Sequence, residues 1–209
     1  KVHKPKAVPL GPHVMLDAER CILCSRCVRY CDEITRTGEL GIFNRGDRSE
    51  IGLFPGTTLE NKYSGNVIDI CPVGALTDRD FRFQVRVWYL DRAKSVCPGC
   101  ARGCNIEIHT SQRRPHHNRG RRVARIKPRF NADVNTWWIC DAGRYGFPWI
   151  DDESRLTTPM MSVSDRSTGT TWDEVVVAAA RALRGHRPEE IGVIASPQMA
   201  NEDLFVLRR

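Results

Sequence analysis

An α+β fold in three successive parts is predicted by three observations. The nine cysteines of this 209-residue chain fall in two separate groups, both complete by Cys140. Around and between those groups, short apolar runs are broken by glycine and proline, as short strands are. Beyond Pro148 cysteine disappears, and a helix–strand–helix order begins that reads as the opening of an α/β domain.

Taken in order, residues 1–12 hold Lys, Pro and Gly without periodicity and read as an extended lead-in. A tight cysteine cluster follows, with a short helix expected over Val28–Thr35. Gly38, Gly41, Gly46, Gly52, Pro55 and Gly56 mark turns around strands at Leu40–Phe43 and Glu50–Leu53. The segment Asn66–Ile70 leads into Cys71-Pro72, where proline redirects the chain. Phe81, Phe83, Val85 and Val87 alternate with Arg82, Gln84, Arg86 and Trp88, which predicts a half-buried strand over Phe81–Tyr89. The second cysteine group comes next, then strands at Asn105–Thr110 and Val123–Lys127 joined by the basic connection Ser111–Arg122. Near the end, Thr171 with Glu174 three residues on forms a capping-box pattern for a helix over Trp172–Leu183. An apolar strand at Ile191–Ala195 and a helix from about Met199 complete the reading.

The first cysteine group is Cys21-x2-Cys24-x2-Cys27, with Cys31 three residues further and Cys71 far downstream. An odd total clustered at such gaps is a poor disulfide framework and a good metal framework. Zinc is usually held by paired CxxC knuckles. Three thiolates at successive two-residue gaps instead let the backbone curl around one corner of a cubane. The fourth iron then takes a distant Cys followed by Pro. Cys31 precedes Asp32, whereas Cys71 precedes Pro72. Cys21, Cys24, Cys27 and Cys71 are therefore expected to bind one [4Fe–4S] cluster, with Cys31 a small buried hydrophobe. Arg20, Arg26 and Arg29 stand beside these ligands, either as surface charge or as cations that raise the cluster's potential.

Cys97-x2-Cys100-x3-Cys104, completed much later by Cys140, is expected to bind a second [4Fe–4S] cluster. Gly99 and Gly103 give the backbone room to approach it. A structural zinc site is the competing reading of both groups. With four thiolates already present, His116 and His117 read as loop residues rather than ligands.

The hydrophobic fraction of 41% is ordinary, and the formal charge of +7 is only mildly basic. Clusters held by thiolates are anionic and offset part of that excess. The basic run from Arg113 to Arg129 lacks the interleaved aromatics of a single-strand platform, so no nucleic-acid partner is expected. No run of eighteen apolar residues offers a membrane span, and residues 1–20 carry no export-signal pattern.

The stretches ERCILCSRCVRYCDEI, LENKYSGNVIDICPVGALTD, SVCPGCARGCNIEIHT and VNTWWICDAGRYGF, in that order, resemble the large iron–sulfur subunit of bacterial NADH:quinone oxidoreductase, respiratory complex I. The resemblance implies a ferredoxin-like [4Fe–4S] domain over residues 1–91. It also implies a small β-rich molybdopterin-oxidoreductase-type [4Fe–4S] domain over 92–150 and the truncated beginning of an α/β molybdopterin-oxidoreductase-like domain over 151–209. It implies a cluster on Cys21, Cys24, Cys27 and Cys71 in the relay from NADH to quinone, and a second cluster off the main electron path. Its partners would be the NADH-oxidising subunit and membrane-arm connecting subunits, at the cytoplasmic face of the inner membrane. No bond chemistry of the chain's own, and so no catalytic residue, is implied.

Two departures stand out. Such subunits carry, upstream, a [2Fe–2S] domain and a cluster bound by one His and three Cys, yet no cysteine precedes Cys21. The expectation is a fragment lacking that part and most of the carboxy-terminal domain, or a split-gene product. Many molybdopterin enzymes place Lys two residues after the last ligand, and here that position is Ala142. The runner-up reading is the amino-terminal portion of a molybdopterin-dependent formate dehydrogenase or a hydrogenase-linked subunit; a zinc-stabilised interaction module comes third.

Overall fold

The structure, a computed structural model, describes residues 3–112, 115–163, 166–196 and 198–209. The chain forms two compact units, Lys1–Pro148 and Trp149–Arg209.

The first unit opens with strands β1 (Val8–Pro9) and β2 (Val14–Leu16), which join β5 (Leu76–Asp78) in an antiparallel sheet of order β1-β2-β5. Between β2 and β5 lie helix α1 (Arg26–Arg29), a π-helical turn (Tyr30–Thr35), the hairpin β3 (Leu40–Phe43)–β4 (Glu50–Leu53) and helix α2 (Asn66–Ile70). The core beneath them is built from Leu10, Val14, Leu16, Leu40, Leu59, Val67 and Leu76, together with Cys27, Tyr30 and Cys31. Burying each large aliphatic side chain contributes roughly 1.5–3 kcal/mol, so this small sheet is held mainly by what packs against it.

The helix expected over Val28–Thr35 begins earlier, at Arg26, and widens into the π turn. That turn ends on the Cys31 carbonyl, which accepts from Thr37 N–H (2.9 Å), Gly38 N–H (3.2 Å) and Thr35 Oγ1 (3.2 Å).

The same unit continues into a second antiparallel sheet, β6 (Asp91–Val96)–β7 (Asn105–Thr110)–β8 (Val123–Pro128), and then helix α3 (Asp141–Tyr145). Here one expectation fails: Phe81–Tyr89 is not a strand. Asp78 Oδ1 accepts from the N–H groups of Asp80 (2.9 Å) and Phe81 (3.1 Å), an Asx-type turn that folds the chain back. Phe83 then takes φ +62° and a 3₁₀ turn covers Val87–Tyr89. Only every fourth position of the alternation is packed: Phe81, Val85 and Tyr89 gather with Leu90 and Ala124 in one cluster, while Phe83 and Val87 are exposed. The strand that does pair is β6, a largely exposed edge strand with little hydrophobic signal.

The second unit holds the hairpin β9 (Met160–Val163)–β10 (Arg166–Gly169), helix α4 (Trp172–Arg184) and helix α5 (Asn201–Arg208). The sequence reading did not anticipate that hairpin, although Pro159 and Gly169 stand at its two ends. The α4 capping box forms as predicted: Thr171 Oγ1 accepts from Glu174 N–H (3.3 Å) and Glu174 Oε2 from Thr171 N–H (3.0 Å). Ile191–Ala195 forms no strand. Among the described residues no strand pairs with it, and Ile194 is fully exposed at 101%. A β ladder needs a neighbour to satisfy its backbone groups, so an apolar run alone does not make one. No described helix is long and apolar enough to cross a membrane.

Thr171→Ala removes one half of the capping box and is expected to destabilise α4 by about 1 kcal/mol. Loss of helical circular-dichroism signal at lower urea than in the unsubstituted chain would register it; an unchanged transition would contradict it.

Candidate iron–sulfur sites

The loop carrying the first three cysteines is bent by two left-handed residues that are not glycine, Leu23 (φ 55°) and Ser25 (φ 58°). Each such residue costs roughly 1–2 kcal/mol, and the bends alternate with the cysteines. The result is that Cys21, Cys24 and Cys27 line one cavity together with Cys71, walled by Leu16, Ile51, Ala75 and Leu76. Two of the sulfurs accept backbone hydrogen bonds, Cys21 Sγ from Leu23 N–H (3.4 Å) and Cys71 Sγ from Leu76 N–H (3.5 Å). Burial, with Cys21 and Cys24 nearby, pushes the Cys27 thiol up to about 11. Ionising it therefore requires a cation or a metal centre in the cavity.

Cys31 lies outside that cavity and is fully buried in the hydrophobic core. Burial and the neighbouring Glu39 carboxylate push its thiol up to about 12. Of the three arginines beside these cysteines, Arg20 pairs with Asp17 (3.2 Å) and Arg29 with Glu33 (3.1 Å), so each is charge-compensated on the surface. Arg26 borders the cavity itself.

The second group is assembled from two loops. Cys97 N–H donates to the Cys104 carbonyl (2.8 Å), closing the first loop. Cys140 caps α3, its Sγ accepting from Gly143 N–H (3.4 Å). Burial raises the Cys104 thiol; Arg102 opposes this, while Cys97, Cys140 and Cys100 add to it, so each of the other three cysteines lies within electrostatic reach of Cys104. A Cβ on Gly99 would meet Cys97 Sγ at an ordinary 3.5 Å, and Gly103 takes φ +62°, a turn position that suits glycine. The close approach is elsewhere: a Cβ on Gly143 would stand 3.0 Å from Cys97 Sγ. Sequence reasoning missed Gly143, although a glycine three residues after the last cysteine was visible. Among the described residues no three His, Cys, Asp or Glu side chains converge tightly around a single ion.

The basic connection turns back on the fold. Arg121 and Arg119 pair with Asp80 (2.9 and 3.5 Å), and Lys127 with Asp69 (3.0 Å). Arg125 Nε donates to His109 Nδ1 (3.0 Å), and burial and that guanidinium push the His109 ring down to about 4, keeping it neutral. Arg113 and Arg114 lie outside the described residues. His116 and His117 stack edge-to-face on each other, with ring centroids 4.3 Å apart.

What joins the two cysteine sites is a buried polar junction. Asn66, at the start of α2, donates through Nδ2 to the Ile139 carbonyl (2.9 Å) and to Tyr30 Oη (3.1 Å). Its Oδ1 accepts from Ile139 N–H (3.2 Å) and from an Arg144 terminal nitrogen (3.1 Å). The same Arg144 nitrogen reaches Asp69 (2.6 Å). Asp141 accepts from Ser64 N–H (3.0 Å), Ser64 Oγ (2.6 Å) and Gly65 N–H (2.9 Å). Gly65 is required there, since a Cβ would fall 2.7 Å from Arg144 Cδ. Burial alone would raise the Asp69 carboxyl, but Arg144 and Lys127 together hold it below the ordinary range.

Two family models match the chain in the same order as the two sites. Residues 11–77 match the NADH-quinone oxidoreductase subunit 3, ferredoxin-like domain. Residues 90–151 match the molybdopterin oxidoreductase Fe4S4 domain. The chain is 40% identical over 191 residues to NADH-quinone oxidoreductase subunit 3 of Thermus thermophilus, covering 91% of this chain and 23% of that protein. It belongs to the family of that iron–sulfur subunit of NADH-quinone oxidoreductases. The mitochondrial NADH-ubiquinone oxidoreductase 78 kDa subunit of Candida albicans is 36% identical over 201 residues, covering 95% of this chain and 27% of that protein. The mitochondrial NADH dehydrogenase [ubiquinone] iron-sulfur protein 1 of Solanum tuberosum is also 36% identical, over 95% of this chain and 26% of that protein. The chain thus spans about a quarter of the length of these relatives. The α+β reading, a ferredoxin-like part followed by an Fe4S4 part, stands.

Asn66→Ala strands the Ile139 backbone pair, removes a donor from Tyr30 Oη and the Tyr63 carbonyl, and breaks one Arg144 contact. It is expected to cost roughly 2–4 kcal/mol, measured by urea unfolding of the whole chain. A loss under about 0.5 kcal/mol would show that the junction does not hold these loops together.

Proposed function

We propose that the chain binds two [4Fe–4S] clusters and relays single electrons as part of an NADH:quinone oxidoreductase. The first is held by Cys21, Cys24, Cys27 and Cys71, the second by Cys97, Cys100, Cys104 and Cys140. One observation carries the proposal: Cys71, far from the others in sequence, lines the same apolar-walled cavity as the CxxCxxC loop, while Cys31 does not. At the second site the support is the four-sulfur donor set and the open face of Gly143 against Cys97.

A bound [4Fe–4S] cluster supplies a one-electron redox couple whose potential depends on burial, sulfur hydrogen bonds and nearby charge. The chain's own residues set those conditions. Leu16, Ile51, Ala75 and Leu76 exclude water; the amides of Leu23, Leu76 and Gly143 donate to cysteine sulfurs and favour added negative charge there. No residue is assigned bond-making chemistry. The three-part division 1–91, 92–150 and 151–209 belongs to the same proposal. So do partners among the NADH-oxidising and membrane-arm connecting subunits, and a peripheral position at the cytoplasmic face of the inner membrane. The names of the relatives support this reading over a formate dehydrogenase or hydrogenase-linked role.

Cys71→Ser is expected to abolish the EPR signal of one reduced cluster and leave the other, whereas Cys31→Ser retains both. Equal loss in the two variants, with anaerobically purified protein reduced by dithionite, would overturn the ligand assignment.

A further inference from the structure

We propose that Arg144, whose backbone N–H donates to the Cys140 carbonyl (2.9 Å) but whose guanidinium bonds to Asn66 and Asp69 instead of a cysteine, is a positioning residue that sets the reduction potential of the cluster at Cys21, Cys24, Cys27 and Cys71. This rests on the [4Fe–4S] assignment above and extends it to a residue outside either ligand set.

The observations are geometric. Arg144 is 3% exposed, and one terminal nitrogen holds both Asn66 Oδ1 (3.1 Å) and Asp69 Oδ2 (2.6 Å). Those two residues begin and nearly end α2, the helix that runs directly into Cys71. The Arg144 Nε is buried without a hydrogen-bond partner among the described residues, so the guanidinium is only partly compensated. Lys127 on β8 grips the other oxygen of Asp69 (3.0 Å). The second cysteine domain therefore delivers two cations to a single carboxylate lying two residues before a ligand of the first site. Asp78 and Asp141 face the same junction, so removing either cation leaves it a full charge more negative. In a poorly solvated junction such charges are weakly screened, and reduction adds an electron. Losing a cation must lower the potential, and losing the Asp69 charge must raise it.

A purely structural clamp predicts no such opposition. If Arg144 only held α2 in place, Arg144→Met and Asp69→Asn, which break the same contact, would disturb the site in the same direction.

The test is an EPR-monitored redox titration of the full chain, following the signal that Cys71→Ser abolishes. Arg144→Met is expected to lower that potential by about 59 mV, a tenfold change in the one-electron equilibrium. Arg144→Lys should restore most of the shift, and Asp69→Asn should move it upward. Lys127→Met, at a more exposed position, should shift it downward and decides the matter if Arg144→Met does not assemble. Unchanged potentials in assembled variants, or shifts of one sign in Arg144→Met and Asp69→Asn, would overturn the proposal. Absence of any cluster signal from the unsubstituted chain would instead remove the function on which it rests.

Discussion

The rest of the first unit depends on the side-chain amide of Asn66. It is fully buried, and its two polar atoms bind both backbone groups of Ile139, the phenol of Tyr30 and the guanidinium of Arg144. Ile139 immediately precedes Cys140, and Asn66 opens the helix that ends at Cys71. One residue thereby fixes the segments that carry Cys71 and Cys140, the distant cysteine of each group. Apolar packing could hold these segments together but would tolerate sliding. A buried amide with five bonded groups, the Tyr63 carbonyl (2.9 Å) included, does not, because any slip leaves donors and acceptors unpaired at roughly 1–3 kcal/mol each. Asp141 repeats the device one residue after Cys140, gripping Ser64 and Gly65 from the other side.

With the two segments locked, the cysteine loops can carry strain. Leu23 and Ser25 sit in left-handed conformations that a free loop would avoid, and a side chain at position 143 would press on Cys97 Sγ. Strain of this kind persists only where the surroundings over-determine it. Here those surroundings are the β1-β2-β5 sheet, the π turn anchored on the Cys31 carbonyl, and the Asn66 junction. The consequence is a set of sulfurs whose hydrogen bonds and apolar walls are fixed by the fold. Such preorganisation suits electron transfer, where little should move between oxidation states.

The proposed cysteine sites rest on signals local in the sequence, and the junction left hardly any. Ligand spacing is local, so Cys21, Cys24 and Cys27 declare themselves, and Pro72 singles out Cys71 over Cys31. Capping chemistry is local too, which is why Thr171 and Glu174 predicted the start of α4. Asn66, Asp141 and Arg144 are ordinary polar residues until the fold brings distant stretches of the chain into contact, and no periodicity announces that. The Phe81–Tyr89 error has the opposite cause: the alternation is present in sequence, but a turn around Asp78 folds the segment back, packing Phe81 and Val85 into one cluster and leaving Phe83 and Val87 exposed. At Ile191–Ala195 the apolar run is real but has no pairing strand among the described residues. β6 escaped notice because an edge strand beside solvent needs few apolar side chains.

The account stands on the identity of the metal centres, and elemental analysis of anaerobically purified protein, with EPR after reduction, reaches it most directly. Two cubanes predict about eight iron and about eight sulfide per chain and signals from two reduced clusters. Stoichiometric zinc, no sulfide and no EPR signal would contradict the electron-transfer reading and leave the cysteines a structural role.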